Sequence, residues 1–173
     1  MIGEGNNIVS LPVGHNIHKE GILDICEVPF NDINNIGPKM VEASKKFMKE
    51  AGYKGILCIE YFVSGNEFYF NEMAPRPHNS GHYSIEALDH SQYDLFARYL
   101  LDLPYEEPKI MHKSIMKNIL GRDLINVDYY LKYPKSYLHM YFKEEARAKR
   151  KMGHITFLDM DLDTFMAIEK GME

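Results

Sequence analysis

Alternation of apolar and polar residues near the start of the chain predicts strands. Residues 8–11 form a short apolar run, and residues 21–28 alternate between apolar and polar side chains up to Pro29. A period of two is typical of a strand with one buried face, and a proline commonly ends such a strand. Residues 35–51 instead repeat apolar side chains every three or four positions, which predicts a helix that stops at Gly52.

Two strongly apolar runs in the middle of the chain predict a β-hairpin. They cover residues 55–63 and 67–74, with Ser-Gly-Asn between them as turn formers. Each run contains one glutamate, Glu60 or Glu72, at a position that a strand would bury. Buried carboxylates are rare unless they are paired, so both residues need a partner.

The register of this hairpin decides whether the two glutamates meet. A hairpin centred on Asn66 places Glu60 directly opposite Glu72, with Cβ atoms about 5 Å apart. A register shifted by one residue places Glu60 opposite Asn71 and turns Glu72 to the other face. We expect the first register, in which two like charges require a cation between them.

The expected cation is a hard divalent metal ion. Two carboxylates and the amide of Asn71 offer only oxygen ligands, which suit Mg²⁺ or Mn²⁺. The alternative is that Glu60 and Glu72 each pair with a lysine or arginine from elsewhere, which is the more usual arrangement for a single glutamate. Two glutamates in register, beside the irregular loop of residues 75–82, favour the metal.

The rest of the chain predicts a mixed fold. Two prolines and a glycine exclude regular structure from residues 75–82, and residues 103–108 form a turn-rich connector. The predicted helices cover residues 84–88, 92–101, 127–131 and 161–170. The predicted strands cover residues 114–120, 136–142 and 154–158, with a basic loop at residues 143–151.

Composition and charge exclude several classes of protein. The chain has 173 residues, of which 45% are hydrophobic, and this excludes a disordered tail; its net charge of −5 argues against nucleic-acid binding. No apolar run reaches the roughly 20 residues that span a bilayer, and the first residues lack the features of a signal peptide. We therefore expect a cytoplasmic protein without membrane contact, in which Cys26 and Cys58 are free thiols packed as small hydrophobic side chains.

Three ordered sequence blocks resemble one enzyme family. Residues 71–82 read Asn-Glu-Met-Ala-Pro-Arg-Pro-His-Asn-Ser-Gly-His, followed by Ile-Glu-Ala at residues 85–87, and further blocks lie at residues 16–23 and 150–156. Together they resemble the signature of the N5-carboxyaminoimidazole ribonucleotide synthetases. That family is the ATPase subunit of phosphoribosylaminoimidazole carboxylase, in the ATP-grasp superfamily of de novo purine biosynthesis.

The resemblance implies an α+β fold in two parts. Residues 1–107 correspond to the C-terminal part of an ATP-grasp domain, an antiparallel sheet with helices. Residues 108–173 correspond to a small β-rich subdomain that is similar to a rudimentary hybrid motif. The family's N-terminal domain, nucleotide clamp and glycine-rich flap have no counterpart in the sequence, so we expect a C-terminal half that is inactive without its N-terminal half.

The resemblance also implies a reaction, its partners and its site. An ATP-grasp carboxylating ligase uses ATP to activate bicarbonate as carboxyphosphate, which then carboxylates aminoimidazole ribonucleotide. The implied partners are these three small molecules, Mg²⁺ or Mn²⁺, a second copy in a homodimer, and a separate N-terminal half. The implied site residues are Glu60 and Glu72 as metal ligands; His18, Asn71 and Glu72 at ATP; Arg76, His78 and Asn79 as catalytic residues; and Lys143, Arg150 and Lys151 at the ribonucleotide phosphate.

The residue types suit these roles. The planar fork of Arg76 matches a pair of phosphoryl or carboxylate oxygens, His78 can move a proton near neutral pH, and Asn79 can donate an amide hydrogen bond. The alternative is an ordered connecting loop whose arginine and histidine only satisfy backbone carbonyls. The phosphate loop departs from the family pattern, because Phe142 replaces a glycine and Ala-Lys at residues 148–149 replaces Pro-Gly.

Three other interpretations stay open at this point. One is a catalytically incompetent fragment that keeps the fold and a dimer surface. Another is a different ATP-grasp ligase of the purine pathway, against which the motifs at residues 79–82 and 152–154 argue. The third concerns the basic residues 147–151 alone, because runs of this kind most often form a solvated face.

Overall fold

The computed structural model describes residues 1–32 and 34–171. The strands within these residues are β1 (Ile2–Glu4), β2 (Asn7–Val9), β3 (His15–Lys19), β4 (Ile22–Val28), β5 (Gly55–Ile56), β6 (Cys58–Ser64), β7 (Glu67–Ala74), β8 (Ser114–Leu120), β9 (Ser136–Met140) and β10 (Lys151–Leu158). The α-helices are α1 (Gly37–Glu50), α2 (Ser84–Ala87), α3 (Gln92–Leu100), α4 (Val127–Tyr130) and α5 (Leu162–Lys170). In this described part of the chain, no helix has both the length and the apolar character that a bilayer span requires.

An antiparallel five-stranded sheet, in the order β3-β4-β8-β10-β9, is the framework of the fold. Its central strand β8 buries all seven of its residues, so both faces of the sheet are covered at this point. One apolar cluster beside it includes Ile25, Ile115, Phe157 and Phe165. Helices combined with antiparallel sheets confirm the predicted α+β class.

The same sheet joins the two predicted segments of the chain. In the pairing of β4 with β8, Ile25 lies opposite Lys117 and Val28 lies opposite Ser114. Strands from both sides of residue 107 therefore share one set of backbone hydrogen bonds. The division at residue 107 stays a prediction, because shared pairing does not show whether either segment folds alone.

A bend at Leu57 separates two sheets and corrects one prediction. The single strand predicted over residues 55–63 is wrong, because β5 pairs with β1 whereas β6 pairs with β7. The Leu57 backbone N–H donates to the Met1 carbonyl at 2.9 Å, which holds the chain at the bend. Strands β1 and β3 were not predicted, and β10 begins at Lys151, before the predicted start at residue 154.

Helix α1 fixes the position of the β6–β7 hairpin. The Asp32 carboxylate accepts hydrogen bonds from the backbone N–H groups of Ile36 and Gly37, each at 2.7 Å, and so satisfies donors in the first turn. On the buried side of the helix, the Ser44 hydroxyl lies 2.8 Å from the Tyr61 hydroxyl of β6. This contact ties the hairpin to the helix next to the two glutamates.

Candidate functional site

The two glutamates face each other across the hairpin. The ladder pairs Glu60 with Glu72, which confirms the expected register at this point. Nearer the turn the register shifts by one residue, so that Tyr61 lies opposite Phe70 and Asn71 is the extra residue of a β-bulge. The hairpin therefore contains both registers considered from the sequence, one on each side of Asn71, and its turn consists of residues 65–66 rather than centring on Asn66.

The surroundings of the two carboxylates differ. The side chain of Glu60 is 8% exposed and that of Glu72 is 61% exposed. His78 lies between them, with Nδ1 3.7 Å from Glu60 Oε1 and Nε2 4.0 Å from Glu72 Oε1. Asn16 Nδ2 donates to Glu60 Oε1 at 3.2 Å, and His18 Nε2 lies 3.9 Å from Glu60 Oε2. An imidazole and an amide, rather than a lysine or arginine, are the nearest partners.

Local cations do not offset the burial of Glu60. Burial raises the pKa of the Glu60 carboxyl above its ordinary value, and the charge of Glu72 adds to this effect, whereas His18 and Lys151 act in the opposite direction. Among the described residues, no lysine or arginine nitrogen lies within 4.0 Å of either carboxylate. The pair therefore retains the capacity to bind a further cation.

Hydrogen bonds to Gln92 hold the loop that carries His78. The Gln92 side chain accepts from the His78 backbone N–H and donates to the His78 carbonyl, both at 2.9 Å. Gly81 allows this side chain to approach, because a Cβ atom there would lie 2.7 Å from Gln92 Oε1. The His78 Nδ1 atom also lies 2.8 Å from the Ser80 hydroxyl. The backbone of His78 is therefore held by Gln92, and its imidazole is oriented by Ser80.

The other two loop residues have unused hydrogen-bonding capacity. Asn79 is buried, and neither its Nδ2 nor its Oδ1 atom has a partner within the described residues. Arg76 is exposed, and its guanidinium donates one hydrogen bond, from Nη1 to the Pro77 carbonyl at 3.1 Å. That bond agrees in part with the alternative of a connecting loop, but the remaining guanidinium donors are available to an anion.

A cavity of about 710 Å³ lies beside the hairpin and the loop. Its volume falls within the range of roughly 300–1,000 Å³ that is usual for small-molecule sites. The predicted site residues that line it are His18, Glu60, Asn71, Arg76 and His78. Glu72, Asn79 and the three basic residues do not line it. The structure therefore brings part of the predicted set to one concave surface.

The three basic residues have different surroundings. Lys143 Nζ lies 5.6 Å from the centre of the Tyr141 ring, and exposed Arg150 donates from Nη1 to the Glu145 carbonyl at 3.2 Å. Lys151 begins β10; burial lowers its pKa, and the charge of Arg76 adds to this, whereas the two site glutamates raise it. Lys151 is thus electrostatically linked to the acidic pair.

Sequence reasoning assigned no role to several residues of the site. Asn16, Ser80 and Gln92 contact site residues. Asn16 and Ser80 lie in the motif blocks quoted above, whereas Gln92 is the first residue of α3. Cys58 was expected to pack only as a small hydrophobic side chain, but it lines the cavity. The signal that could have placed Cys58 is its spacing, because a residue two positions before Glu60 on a strand shares its face.

Family comparison agrees with this geometry. A sequence model of the ATP-grasp domain matches residues 3–93, which is more than half of the chain. The chain belongs to the ATP-grasp family. A second model, of the phosphoribosylaminoimidazole carboxylase C-terminal domain, matches residues 114–167 of this ATP-grasp chain. Both matches confirm the resemblance drawn from the motif at residues 71–82.

Relatives of the ATP-grasp chain have closely similar names. The N5-carboxyaminoimidazole ribonucleotide synthase of Staphylococcus saprophyticus is 37% identical over 166 residues, which cover 94% of the chain and 44% of the relative. The Staphylococcus aureus N5-carboxyaminoimidazole synthetase complexed with ADP has a TM-score of 0.88 and 33% identity, over 99% of the chain and 49% of that structure. The N5-carboxyaminoimidazole synthase of Aspergillus clavatus in complex with ADP and 5-aminoimidazole ribonucleotide has a TM-score of 0.85 and 29% identity. The match covers 98% of the chain and 48% of that structure. The chain thus spans about half the length of these relatives.

Proposed function

We propose that this chain is the C-terminal portion of an ATP-dependent ligase of de novo purine biosynthesis. The reaction carboxylates 5-aminoimidazole ribonucleotide with bicarbonate, by way of carboxyphosphate, and gives N5-carboxyaminoimidazole ribonucleotide. The observation that carries the proposal is the pairing of Glu60 with Glu72 beside a cavity that His78 and Arg76 also line. The names of the relatives support the proposal, because one of those structures is a complex with ADP and 5-aminoimidazole ribonucleotide.

The donor set fits a hard divalent cation. Glu60 and Glu72, with the amide of Asn71 in the bulge between them, present oxygen ligands, and Mg²⁺ or Mn²⁺ prefers such ligands. Such an ion, when bound, would supply positive charge that offsets the negative charge developing in phosphoryl transfer. His18 and Asn71 line the same cavity and are our candidates for contact with the nucleotide.

The loop residues would act on the bicarbonate-derived group. Burial lowers the pKa of His78, and the charges of Arg76 and Lys151 lower it further, whereas Glu72 raises it; the net effect favours the neutral imidazole, which is the form that can accept a proton. The free guanidinium donors of Arg76 suit the oxygens of a transferred phosphoryl group. The amide of Asn79 is buried behind the cavity wall and has no partner among the described residues, and it is the third candidate for a hydrogen bond in this loop.

The basic residues would bind the ribonucleotide. We assign Lys143 and Arg150 to its 5′-phosphate, because both cationic groups lie on the loop between β9 and β10. Lys151 is the weaker candidate for the phosphate, since its ammonium is influenced by Glu60 and Glu72. Because the Lys151 ammonium is linked to the acidic pair, it would face the reacting groups rather than the 5′-phosphate.

The exposed surface of the hairpin supports a further polypeptide partner. Phe62 is 62% exposed and Phe70 is 60% exposed, and exposed apolar groups of this size commonly mark an interaction surface. We infer that a separate N-terminal half covers this surface and completes the nucleotide site, and that the chain alone does not turn over. A homodimer and a cytoplasmic location complete the proposal; the free thiols of Cys26 and Cys58 are consistent with a reducing compartment.

Complementation in trans tests this function. ADP formation that depends on bicarbonate and aminoimidazole ribonucleotide is measured for the chain alone and for the chain mixed with the remaining portion of the Staphylococcus saprophyticus relative. We expect no turnover alone and measurable turnover from the mixture, which an Arg76→Ala variant abolishes. Robust turnover by the isolated chain would contradict the need for a second half, and an inactive mixture that still assembles would favour the incompetent-fragment alternative.

The relatives named above argue against a different purine-pathway ligase. Each of them is named as a synthase or synthetase of N5-carboxyaminoimidazole or of its ribonucleotide. In the complementation mixture, replacing aminoimidazole ribonucleotide with another purine precursor should therefore abolish ADP formation.

A further inference from the structure

Three chemically different metal ligands converge on one wall of the cavity. Cys58 and Glu60 lie two residues apart on β6, so their side chains share a face, and His78 reaches the same place from the loop after β7. One ligand atom from each of the three residues lies within 4.8 Å of those of the other two. The proposed carboxylation assigns no role to Cys58.

A single hydroxyl links two members of this triad, His78 and Cys58. Ser80 Oγ lies 2.8 Å from His78 Nδ1 and 3.6 Å from Cys58 Sγ. His78 Nδ1 in turn lies 3.7 Å from Glu60 Oε1. All four residues line the cavity, so an ion arriving from solvent can reach the thiol, the carboxylate and the imidazole without passing through the core.

We propose that Cys58, Glu60 and His78 form a binding site for a thiophilic divalent cation, for which Zn²⁺ is the best match. Zn²⁺ accepts sulfur, nitrogen and oxygen ligands together, and sites with three protein ligands leave its fourth position open to water or substrate. Mg²⁺ and Mn²⁺ favour oxygen ligands and gain little from a thiolate. On binding, the ion replaces the thiol proton of Cys58, and that proton passes to solvent.

Glu60 belongs both to the proposed zinc site and to the Glu60–Glu72 pair, so zinc binding would affect catalysis. A cation held by Cys58 and His78 takes one carboxylate away from the Glu60–Glu72 pair. Zinc would therefore inhibit any reaction that needs a hard cation at that pair. This inhibition rests on the proposed function, but zinc binding does not, and the binding experiment contains no nucleotide.

X-ray absorption of the Zn²⁺-loaded chain of 173 residues tests the ligand set directly. We expect one sulfur ligand per zinc, with nitrogen and oxygen ligands completing the sphere. Replacement of Zn²⁺ by Co²⁺ should give a thiolate-to-cobalt charge-transfer band that Cys58→Ser abolishes. Competition with a chromogenic chelator should show Zn²⁺ affinity falling at least about tenfold in Cys58→Ser, since even loss of an outer-sphere partner commonly costs that much.

Cys26→Ala is the matched control. The buried Cys26 thiol donates to the Ser80 carbonyl at 3.5 Å, but it neither belongs to the triad nor lines the cavity. This variant should keep the sulfur ligand and the affinity, and thermal unfolding of each variant verifies that it is folded. A zinc sphere without sulfur in the unmodified chain would overturn the proposal whatever the variants do. Equal affinity of the unmodified chain and folded Cys58→Ser would overturn it as well.

Discussion

Glu60 lies directly opposite Glu72 across the hairpin, yet one carboxylate is buried and the other is mostly exposed to solvent. Because their burial differs, the two carboxylates contribute differently to the stability of the fold. The exposed carboxylate costs little when no cation is bound, because water and salt screen it. The buried carboxylate is destabilising until a cation arrives, and a substitution at each position should therefore have a different signature.

Glu72→Gln should weaken Mn²⁺ binding to the chain by at least about tenfold, because the neutral amide replaces one of two charged ligands. Titration followed by electron paramagnetic resonance measures the affinity. Glu67→Gln is the matched control, since Glu67 is an exposed carboxylate at the turn end of β7, where Tyr69 donates to it at 2.6 Å. Equal Mn²⁺ affinity of Glu72→Gln and the unmodified chain would contradict a paired-carboxylate site.

Glu60→Gln should raise the free energy of unfolding at neutral pH. Burial holds the folded-state pKa of Glu60 above its ordinary value, so the ionised form is disfavoured in the folded chain relative to the unfolded chain. An amide of the same shape removes that charge and can still accept the hydrogen bond from Asn16. Urea unfolding measures the change. A loss of stability would show that the charge of Glu60 is already compensated without a metal.

Low pH should destabilise the fold through two stacked histidines. Burial lowers the pKa of His82 to about 4 and that of His154 to about 3, and their rings stack with centroids 4.6 Å apart. Between about pH 6.5 and these values the unfolded chain binds protons that the folded chain does not, so the free energy of unfolding falls as pH falls. Each histidine contributes a slope of up to about 1.4 kcal/mol per pH unit.

The variant His154→Phe separates the contribution of His154 to the pH slope of the unfolding free energy from that of His82. Phenylalanine can keep the stacking with His82 while it removes the titrating group and the 2.8 Å contact with the Tyr141 hydroxyl. Urea unfolding across the acidic range should show a slope lower by about 1.4 kcal/mol per pH unit than that of the unmodified chain. Above about pH 6.5 the two slopes should coincide, because both histidines are then neutral in either state. If the free energy of unfolding had the same pH slope in His154→Phe and in the unmodified chain at every pH, His154 would not titrate as expected.

Lys117→Met should cost about 3–5 kcal/mol of stability, because it leaves two acids without their buried partner. Lys117 is 3% exposed, and its Nζ atom lies 2.7 Å from Asp24 and 3.3 Å from Glu169. Lys46→Met is the control: its pair with Glu50 is exposed at 3.8 Å and should contribute about 0.5 kcal/mol or less. Similar costs for both variants, measured by urea unfolding, would show that burial does not strengthen the Lys117 contacts.

The acidic pair could be predicted because charge in an apolar strand restricts the possible pairings. Two registers were weighed for the apolar runs around Glu60 and Glu72, and one of them brought the carboxylates together. The bulge at Asn71 could not be predicted, because one extra residue leaves both apolar runs intact. Its position depends on how the hairpin packs against α1, which is a tertiary effect.

Other parts of the fold lacked a local signal. Strand β3 lies at an edge of the sheet and carries His15, Asn16, His18 and Lys19, so it has little of the apolar alternation that predicts strands. The position of Lys151 near the acids depends on sheet order rather than on its basic neighbours in the sequence. Cys58 was misplaced for a different reason. The apolar run around it indicated a position in the core, but its side chain lines the cavity.

The hydrogen bonding between β4 and β8 bears on how the protein can be divided. Cutting the chain at residue 107 would remove β8 and leave the backbone donors and acceptors of Ile25–Val28 without their ladder. Such a bare edge is a template for intermolecular β-pairing. A recombinant piece that ends there should aggregate through β4 unless a strand resembling residues 114–120 is added back.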